Sequence, residues 1–453
     1  MRLTRPRRRK RRSFALWFLV GGVVICLAMF ALTLLPPVRE RLTWQAARWQ
    51  AQVRRALNPP EEVVFVPQTQ ITPGAAQMTA FAALSADSTA SPTTVLTASP
   101  VAMTVDAAVV TAPSTAAPTP LPSPTPLPPK VMLTGVVHEY QQFNNCGPAN
   151  LAMALSFWGW QGDQRDTRAF LRPNLEVDDK NVSPEEMVAF VQRFTALRAL
   201  TRVGGDLDLL KGLIAGGFPV LIEAGHHPPK DWWMGHYLVV NGYDDSTGYF
   251  TVQDSLINPD QPFLYEELTS RWWRDFNYVY VLIYPPEREA QLFSILGPRL
   301  DEAYSYELAA QRALREIPAR EGRDLFFTWF NLGSSRVGLK DYSAAAQAYD
   351  MAFSIYRTLS EEQRPYRLMW YQMGPYEAYY YTGRFQDVIN LANTTFTWVG
   401  QAVLEESYYW RGMAYAALGQ TNQAIADFQK AAALNPNYAA PRQELEKLGA
   451  SLP

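Results

Sequence analysis

The chain has 453 residues, enough for two or three domains, and a formal net charge of −2. This near-neutral charge gives no electrostatic footprint for nucleic acid, which we do not expect as a partner. The sequence contains no metal-ligand spacing and no GxxxxGK(S/T) nucleotide motif, so we expect no cofactor.

The first 35 residues have the pattern of a membrane anchor. Residues 1–12 carry eight basic side chains and no acidic one, and residues 13–35 are uncharged. A helix of this length spans about 35 Å, more than the roughly 30 Å of a hydrocarbon core. The run is longer than the apolar part of a signal peptide, and no small-residue cleavage site follows it. We expect a single transmembrane helix in the cell membrane, with a cytoplasmic basic tail and extracytoplasmic C-terminal domains.

Two segments separate this span from the globular part of the chain. Residues 36–66 are predicted to form a juxtamembrane helix that either lies on the membrane surface or continues the anchor. Residues 67–130 are rich in Thr, Ala, Ser and Pro and have no periodicity that could bury a core. We expect a disordered, extended stalk that holds the following domains away from the membrane.

Two globular domains follow, and together with the anchor and stalk they predict a multidomain chain. Residues 131–286 open with helical patterns and close with the strand-like runs FPVLIEA, HYLVVNGY, GYFTVQD and YVYVLIY, which indicates an α+β domain. Residues 287–453 are helical throughout, which indicates an all-α domain.

The all-α domain contains an internal repeat that resembles the tetratricopeptide repeat. Numbered from Glu405, the signature positions hold Tyr408, Gly412, Tyr415, Gly419, Ala424, Phe428, Ala431 and Pro436. Arg411 stands where the repeat usually has leucine. FTWFNLGSSRVGLKDYSAAAQAYDMAF is a second copy, and YEAYYYTGRFQDVINLANTTF is a degenerate one. The resemblance implies a solenoid that recruits a protein partner; an unrelated helical bundle is the alternative.

Cys146 is the first candidate for chemistry. The only other cysteine, Cys26, lies in the predicted span, so the two cannot pair. CGPANLAMALSFWG predicts a helix that begins at Cys146, with Pro148 in the first turn. A helix N-terminus favours a thiolate. Cys146 is therefore either a nucleophile or a small residue that caps a helix.

A histidine base and an acidic partner are predicted from one hairpin. His236 begins GHYLVVNGYDDSTGYFTVQDS, which predicts strands at 236–243 and 249–254. With a turn near Ser246, Asp254 lies opposite about Leu238, on the face of His236 and within reach of its ring. A slip of one residue would move Asp254 to the other face.

These residues define a Cys-His-Asp triad. Cys146 would attack a carbonyl carbon, His236 would move the proton, and Asp254 would orient the imidazole. A side-chain amide upstream commonly supplements the backbone N–H of the nucleophile at the oxyanion, and Gln141 and Gln142 are the candidates. The other histidines of the sequence are weaker candidates for the base: His138, His226 and His227.

The blocks QQFNNCGPANLAMALSFWG, GGFPVLIEA, GHYLVVNGYDD and VQDSLINP together resemble the papain-like bacteriocin-processing cysteine peptidases, in particular their stand-alone exported relatives. The resemblance implies a papain-like fold, a peptide or protein substrate, and Cys146, His236 and Asp254 in the catalytic roles. The oxyanion glutamine usually lies six residues before the cysteine, where this chain has Tyr140. Gln141 is our choice for that role.

The sequence thus predicts a membrane-anchored extracytoplasmic thiol hydrolase, most simply a cysteine peptidase with a protein-recruiting repeat domain. Two alternatives stay open: a catalytically silent papain-like scaffold, and an amidase or transpeptidase with the same triad. The segment around Ser183, with Glu185 and Glu186, predicts a capped helix that either lines the cleft or is only structural.

Overall fold

The computed structural model describes residues 63–68, 126–174, 181–227, 233–399 and 404–453, together with isolated positions between 20 and 53. The basic tail, almost all of the predicted span and most of the predicted stalk lie outside these residues. No helix in the described part of the chain is both long and apolar enough to cross a membrane. The anchor and the extracytoplasmic location therefore stay predictions.

An antiparallel sheet organises the first globular unit, here called the sheet domain (residues 130–284). Its strands are β1 (Lys130–Met132), β2 (Arg198–Arg202), β3 (Val220–His226), β4 (Met234–Asp244), β5 (Tyr249–Gln253), β6 (Gln261–Leu264) and β7 (Tyr280–Tyr284). The strand order is β2-β7-β3-β4-β5-β6, and β1 pairs with the end of β4. Neighbouring β3 and β4 form the centre of the sheet.

Helices cover both faces of this sheet. One face carries α1 (Cys146–Ser156), α2 (Gln164–Leu171) and α3 (Pro184–Phe194); the other carries α4 (Leu207–Ala215) and α5 (Glu289–Leu296). Successive side chains of a strand point to opposite faces of the sheet. In β4, Tyr237 and Val239 face α1, whereas Leu238 and Val240 face α4. Both faces of the central strands are therefore buried, and α1 is fixed against them.

The predicted cap at Ser183 is confirmed. Its hydroxyl accepts from the Glu186 N–H at 3.2 Å, and the Glu186 carboxylate accepts from the Ser183 N–H at 2.9 Å. This reciprocal pair satisfies two otherwise free N–H groups and fixes the start of α3.

The remaining elements form the helical domain (residues 302–447). Its helices are α6 (Glu302–Glu316), α7 (Gly322–Gly338), α8 (Tyr342–Tyr356), α9 (Gly374–Tyr381), α10 (Phe385–Val399), α11 (Glu405–Ala417), α12 (Thr421–Leu434) and α13 (Ala439–Lys447). Successive helices pack against one another along the chain. The all-helical prediction for this region is confirmed.

Two helix pairs show why the repeat needs a small residue opposite an aromatic one. A Cβ atom added to Gly333 in α7 would lie 2.6 Å from the ring of Tyr349 in α8. At the same spacing, a Cβ atom on Gly412 in α11 would lie 2.7 Å from Phe428 in α12. Only glycine allows these rings to approach the neighbouring helix so closely.

Arg411 departs from the repeat pattern because it has an ionic partner. Its Nε and Nη2 atoms donate to the two oxygens of Asp427 in α12, each at 2.8 Å, and its Nη1 donates to Asn393 in α10 at 2.6 Å. A leucine would pack apolar surface there; arginine instead joins three helices through a bidentate pair.

The sheet and helical domains contact each other at both ends of the helical array. Near its start, Trp233 of the sheet domain packs on Phe327 of α7, with ring centroids 5.3 Å apart. After α12, Asn437 donates to the Phe170 carbonyl in α2 at 2.8 Å. The array therefore lies along the sheet domain and does not extend away from it.

Residues 63–68 differ from the prediction of a juxtamembrane helix over 36–66. Val63, Val64, Phe65 and Val66 are not helical, and Phe65 is buried in the core of the helical domain. The described positions between 39 and 53 are helical. The helix therefore does not reach residue 66, because the last residues pack as an extended segment instead.

Candidate active site

Cys146 is the first residue of α1 and is half-buried, whereas the next nine residues of the helix are buried. Asn144, two residues earlier, adopts a left-handed conformation at φ 51°, which turns the chain into the helix. A Cβ atom on Gly147 would lie 3.0 Å from Val182 and 3.1 Å from Met187. Glycine at this position lets the start of α1 lie against α3.

His236 and Asp254 are brought together by a register change in the hairpin. Asp244 pairs with Tyr249 and Gly242 with Thr251, but Val240 pairs with Val252 and Val239 with Gln253. Asn241 is the extra residue in this bulge. Without it, Asp254 would continue the ladder opposite Val239, on the face away from His236.

The resulting contact is short and buried. The Nε2 atom of His236 lies 2.9 Å from Oδ1 of Asp254, and both side chains are almost fully buried. The same carboxylate oxygen accepts from the backbone N–H groups of Leu256 at 2.8 Å and Ile257 at 3.2 Å. Asp254 is thus held by its own loop, and the Nδ1 atom of His236 is left for Cys146.

The electrostatics favour a charged Cys146–His236 pair. Burial raises the pKa of the Cys146 thiol, but a hydrogen bond and the positive charge of His236, with backbone N–H groups of Tyr237 and Gly147, lower the pKa below its usual value. Burial lowers the pKa of His236, but the charge and hydrogen bond of Asp254, with the contribution of Cys146, raise the pKa to about 10. These interactions therefore favour a thiolate beside an imidazolium over two neutral groups.

The two candidate glutamines have different environments. The amide oxygen of Gln141 accepts from the Ser255 hydroxyl at 2.9 Å, which directs its Nε2 donor away from Ser255. The amide oxygen of Gln142 accepts from Arg168 in α2 at 3.1 Å. Tyr140, at the position where the resembled family has its glutamine, donates through its hydroxyl to Asn258. Gln141 is the one tied to the loop that holds Asp254.

Asn150 and Ser255 join these parts, and sequence reasoning missed both. Asn150 lies one turn after Cys146; its Nδ2 atom donates to the Cys146 carbonyl at 3.0 Å and to the Ser255 hydroxyl at 2.9 Å. Ser255 follows Asp254 directly. Both could have been predicted from their positions, since Asn150 is a polar residue in the helix that begins at Cys146 and Ser255 is next to Asp254. They connect the Cys146 helix to the Asp254 loop.

Glu223 is a further residue that the sequence did not reveal. It pairs with Tyr237 across β3 and β4 and is buried, and its Oε1 atom has no hydrogen-bond partner. Burial raises the pKa of its carboxyl well above the usual value, and the nearby charge of Cys146 acts in the same direction. Burial therefore favours the neutral form of Glu223 close to Cys146.

The remaining histidines lie outside the pair of His236 and Asp254. His226 is close, with its ring centroid 5.6 Å from that of His236. The Nδ1 atom of His138 lies 3.3 Å from the Gln253 amide oxygen, and His227 lies beside Arg323 of the helical domain. Within the described ranges, no three side chains of His, Cys, Asp or Glu are grouped as metal ligands would be.

The helical domain reaches the residue next to His236. A Cβ atom on Gly235 would lie 2.7 Å from the Tyr371 ring, which comes from the segment before α9. Tyr371 also packs edge-on against Trp233 and Phe276, at centroid distances of 5.8 and 5.6 Å. One wall of the site is therefore built by the helical domain.

Comparisons with known proteins find similarities in both domains. Residues 134–280 match the sequence model of the Peptidase_C39 like family, and residues 405–438 match that of the tetratricopeptide repeat. A crystal structure of a candidate C39-like peptidase from Bacillus anthracis is similar at 17% sequence identity and a TM-score of 0.30, over 34% of this chain and 96% of that chain. No curated protein matches significantly. The sheet domain thus contains a region similar to the Peptidase_C39 like family, and the helical domain contains a tetratricopeptide repeat.

Proposed function

We propose that the chain is a cysteine peptidase in which Cys146 is the nucleophile, His236 the acid–base residue and Asp254 the orienting acid. The observation that carries the proposal is the pairing of Cys146 with a His236 that Asp254 holds at 2.9 Å. An ion pair of this kind supplies a thiolate that needs no further deprotonation before it attacks.

The reaction follows from these positions. The Cys146 thiolate attacks the peptide carbonyl carbon, and the resulting oxyanion accepts from the Cys146 N–H and the Nε2 of Gln141. His236 donates the Nδ1 proton to the leaving amine, which breaks the C–N bond and leaves a thioester. Water then attacks the thioester, His236 takes its proton, and the carboxylate product leaves with the thiolate restored.

The full chain is proposed to act at a membrane surface. The basic tail 1–12 and the apolar run 13–35 support a single-pass anchor with the peptidase on the extracytoplasmic side. The tetratricopeptide repeat supports recruitment of a protein partner or substrate by the helical domain.

Peptide-library cleavage tests the proposal. Purified full-length protein is incubated with the library, and products are identified by mass spectrometry, with Cys146→Ala as the matched control. The proposal expects cleavage that the substitution abolishes and that a thiol alkylating reagent blocks. Cleavage that persists in Cys146→Ala would remove Cys146 from the reaction. An unreactive thiol and no cleavage in the wild type would favour the scaffold alternative.

A further inference from the structure

The extended segment of residues 63–68 occupies a built site on the helical domain. Its side chains alternate, with Phe65 and Pro67 buried and Val66 and Gln68 exposed. Phe65 is 2% exposed and packs edge-on against Phe353 of α8, with ring centroids 4.9 Å apart. A single aromatic side chain therefore anchors the segment.

Hydrogen bonds to the main chain hold both ends of the segment. The Trp398 Nε1 atom in α10 donates to the Val63 carbonyl at 2.6 Å. The Gln68 N–H donates to the Asp387 carboxylate at 2.9 Å. Main-chain bonds at two ends with one side-chain pocket between them are typical of sites that bind extended peptides.

The pocket is organised by charged side chains of the helical domain. Arg384 donates to Asp387 through Nε at 2.7 Å and to Asp350 through Nη1 at 2.7 Å. Asp350 in turn accepts from the hydroxyl of Tyr379, whose ring centroid lies 6.1 Å from that of Phe65. Since Asp387 is fully buried, the Gln68 N–H satisfies a carboxylate oxygen that has no access to water.

We propose that the surface of α8, α9 and α10 around Asp387 and Trp398 is a binding site for extended peptides with a phenylalanine anchor. Residues 63–68 are its ligand within the same chain. The site also binds a second polypeptide whose sequence has small apolar residues around a phenylalanine and a proline two positions later. Such a polypeptide binds only when residues 63–68 have dissociated from the site.

The site changes the role expected for the predicted stalk. Residues 69–125 connect a segment docked on the helical domain to a strand of the sheet domain that starts at Lys130. Both ends of this stretch are therefore attached to the globular part of the chain. The predicted role of the stalk, to hold the globular domains away from a membrane, therefore passes to the residues before Val63.

A cleavage and retention experiment tests the inference. The full-length protein carries an affinity tag at its N-terminus and a specific protease site inserted between residues 95 and 96. After cleavage and dilution, we expect the tagged fragment to retain the C-terminal fragment, and an excess of a synthetic peptide of residues 60–70 to displace it. Separation of the wild-type fragments without added peptide would overturn the inference.

Three variants make the test specific. Phe65→Ala is expected to reduce retention at least about tenfold, because it removes the buried anchor. Gln68→Pro removes the N–H donor to Asp387 and an exposed side chain, and is expected to reduce retention without changing the buried Phe65. Val66→Ala, at a side chain that is 40% exposed, is the matched control and should retain the fragment. Equal retention in all three variants would contradict the site.

Discussion

Asp254 lies on the same face of the hairpin as His236 because Asn241 forms a bulge in β4. The bulge lies between the hairpin turn and the part of the ladder next to these two residues. The predicted position of Asp254 opposite Leu238 agrees with the observed pairing at Val239 and Val240. Near the turn, the observed pairing differs from the predicted one by one residue. The bulge corrects that offset. One extra residue in β4 thus places the carboxylate beside the imidazole.

The charge of Asp254 should set the pH range of activity. In Asp254→Asn, the pKa of His236 should fall from about 10, because the largest raising contribution is removed. We expect kcat to fall by about 10³–10⁴-fold at neutral pH. Asp260→Asn, which changes a carboxylate that accepts from Gln253 in the same loop, is the control and should leave kcat unchanged. A kcat for Asp254→Asn near that of wild type would exclude the assigned role.

The loss of wild-type kcat/KM at high pH should occur at a more alkaline pH than an ordinary histidine would give. The proton that His236 donates is held below its folded pKa of about 10 and is lost as the pH rises through that value. Cleavage should therefore persist at pH 8–9 and decline near pH 10, as measured by kcat/KM across the range. A decline centred near the ordinary histidine value of about 6.5 would show that Asp254 does not stabilise the imidazolium.

The buried carboxyl of Glu223 should make stability depend on pH. Burial raises the pKa of this carboxyl in the folded chain. Above about pH 4.5 the unfolded chain releases a proton that the folded chain retains. The free energy of unfolding therefore falls as the pH rises toward the folded pKa. Glu223→Gln should gain stability relative to wild type by about 1.4 kcal/mol per pH unit in that window. Denaturant unfolding at several pH values measures this, with the exposed Glu287→Gln as control. A constant difference across pH would contradict a neutral Glu223.

The glycine after the nucleophile should be required for packing. Gly147→Ala places a Cβ atom 3.0 Å from Val182, so α1 or α3 must shift, at a cost of about 1–3 kcal/mol in unfolding free energy. Alkylation of Cys146 should also slow. Gly212→Ala in α4 is the control, because its Cβ would meet Ile295 at an ordinary 3.7 Å. Equal stability of the two variants would show that the start of α1 is not tightly packed.

The ion pair of Arg411 should stabilise the last repeat. Arg411→Leu restores the usual repeat residue but leaves Asp427 buried without its partner, which we expect to cost about 3–5 kcal/mol. The double change Arg411→Leu with Asp427→Leu should recover much of that loss. Lys447→Ala, which breaks a pair with Glu444 in which the lysine side chain is 67% exposed, should have a much smaller effect in the same thermal unfolding assay.

Local patterns in the sequence revealed the helix at Cys146, the cap at Ser183 and the hairpin of His236, because each depends on residues close together in the chain. Asn241 and Gly242 form a dipeptide that favours turns and bulges, but it lies inside the predicted strand 236–243, and the bulge there was not predicted. Glu223 and Phe65 owe their environments to contacts with distant segments. The burial of Phe65 in the helical domain, some 290 residues away at Phe353, has no local signature.

The pH dependence of Cys146 alkylation tests the central claim most directly. The full-length protein is titrated with iodoacetamide, and the modified residue is identified by mass spectrometry in wild type and in His236→Gln. The account predicts a wild-type midpoint below the free-thiol value of about 8.5, and a shift to a higher midpoint in His236→Gln. A wild-type midpoint at or above about 8.5 that His236→Gln leaves unchanged would contradict it.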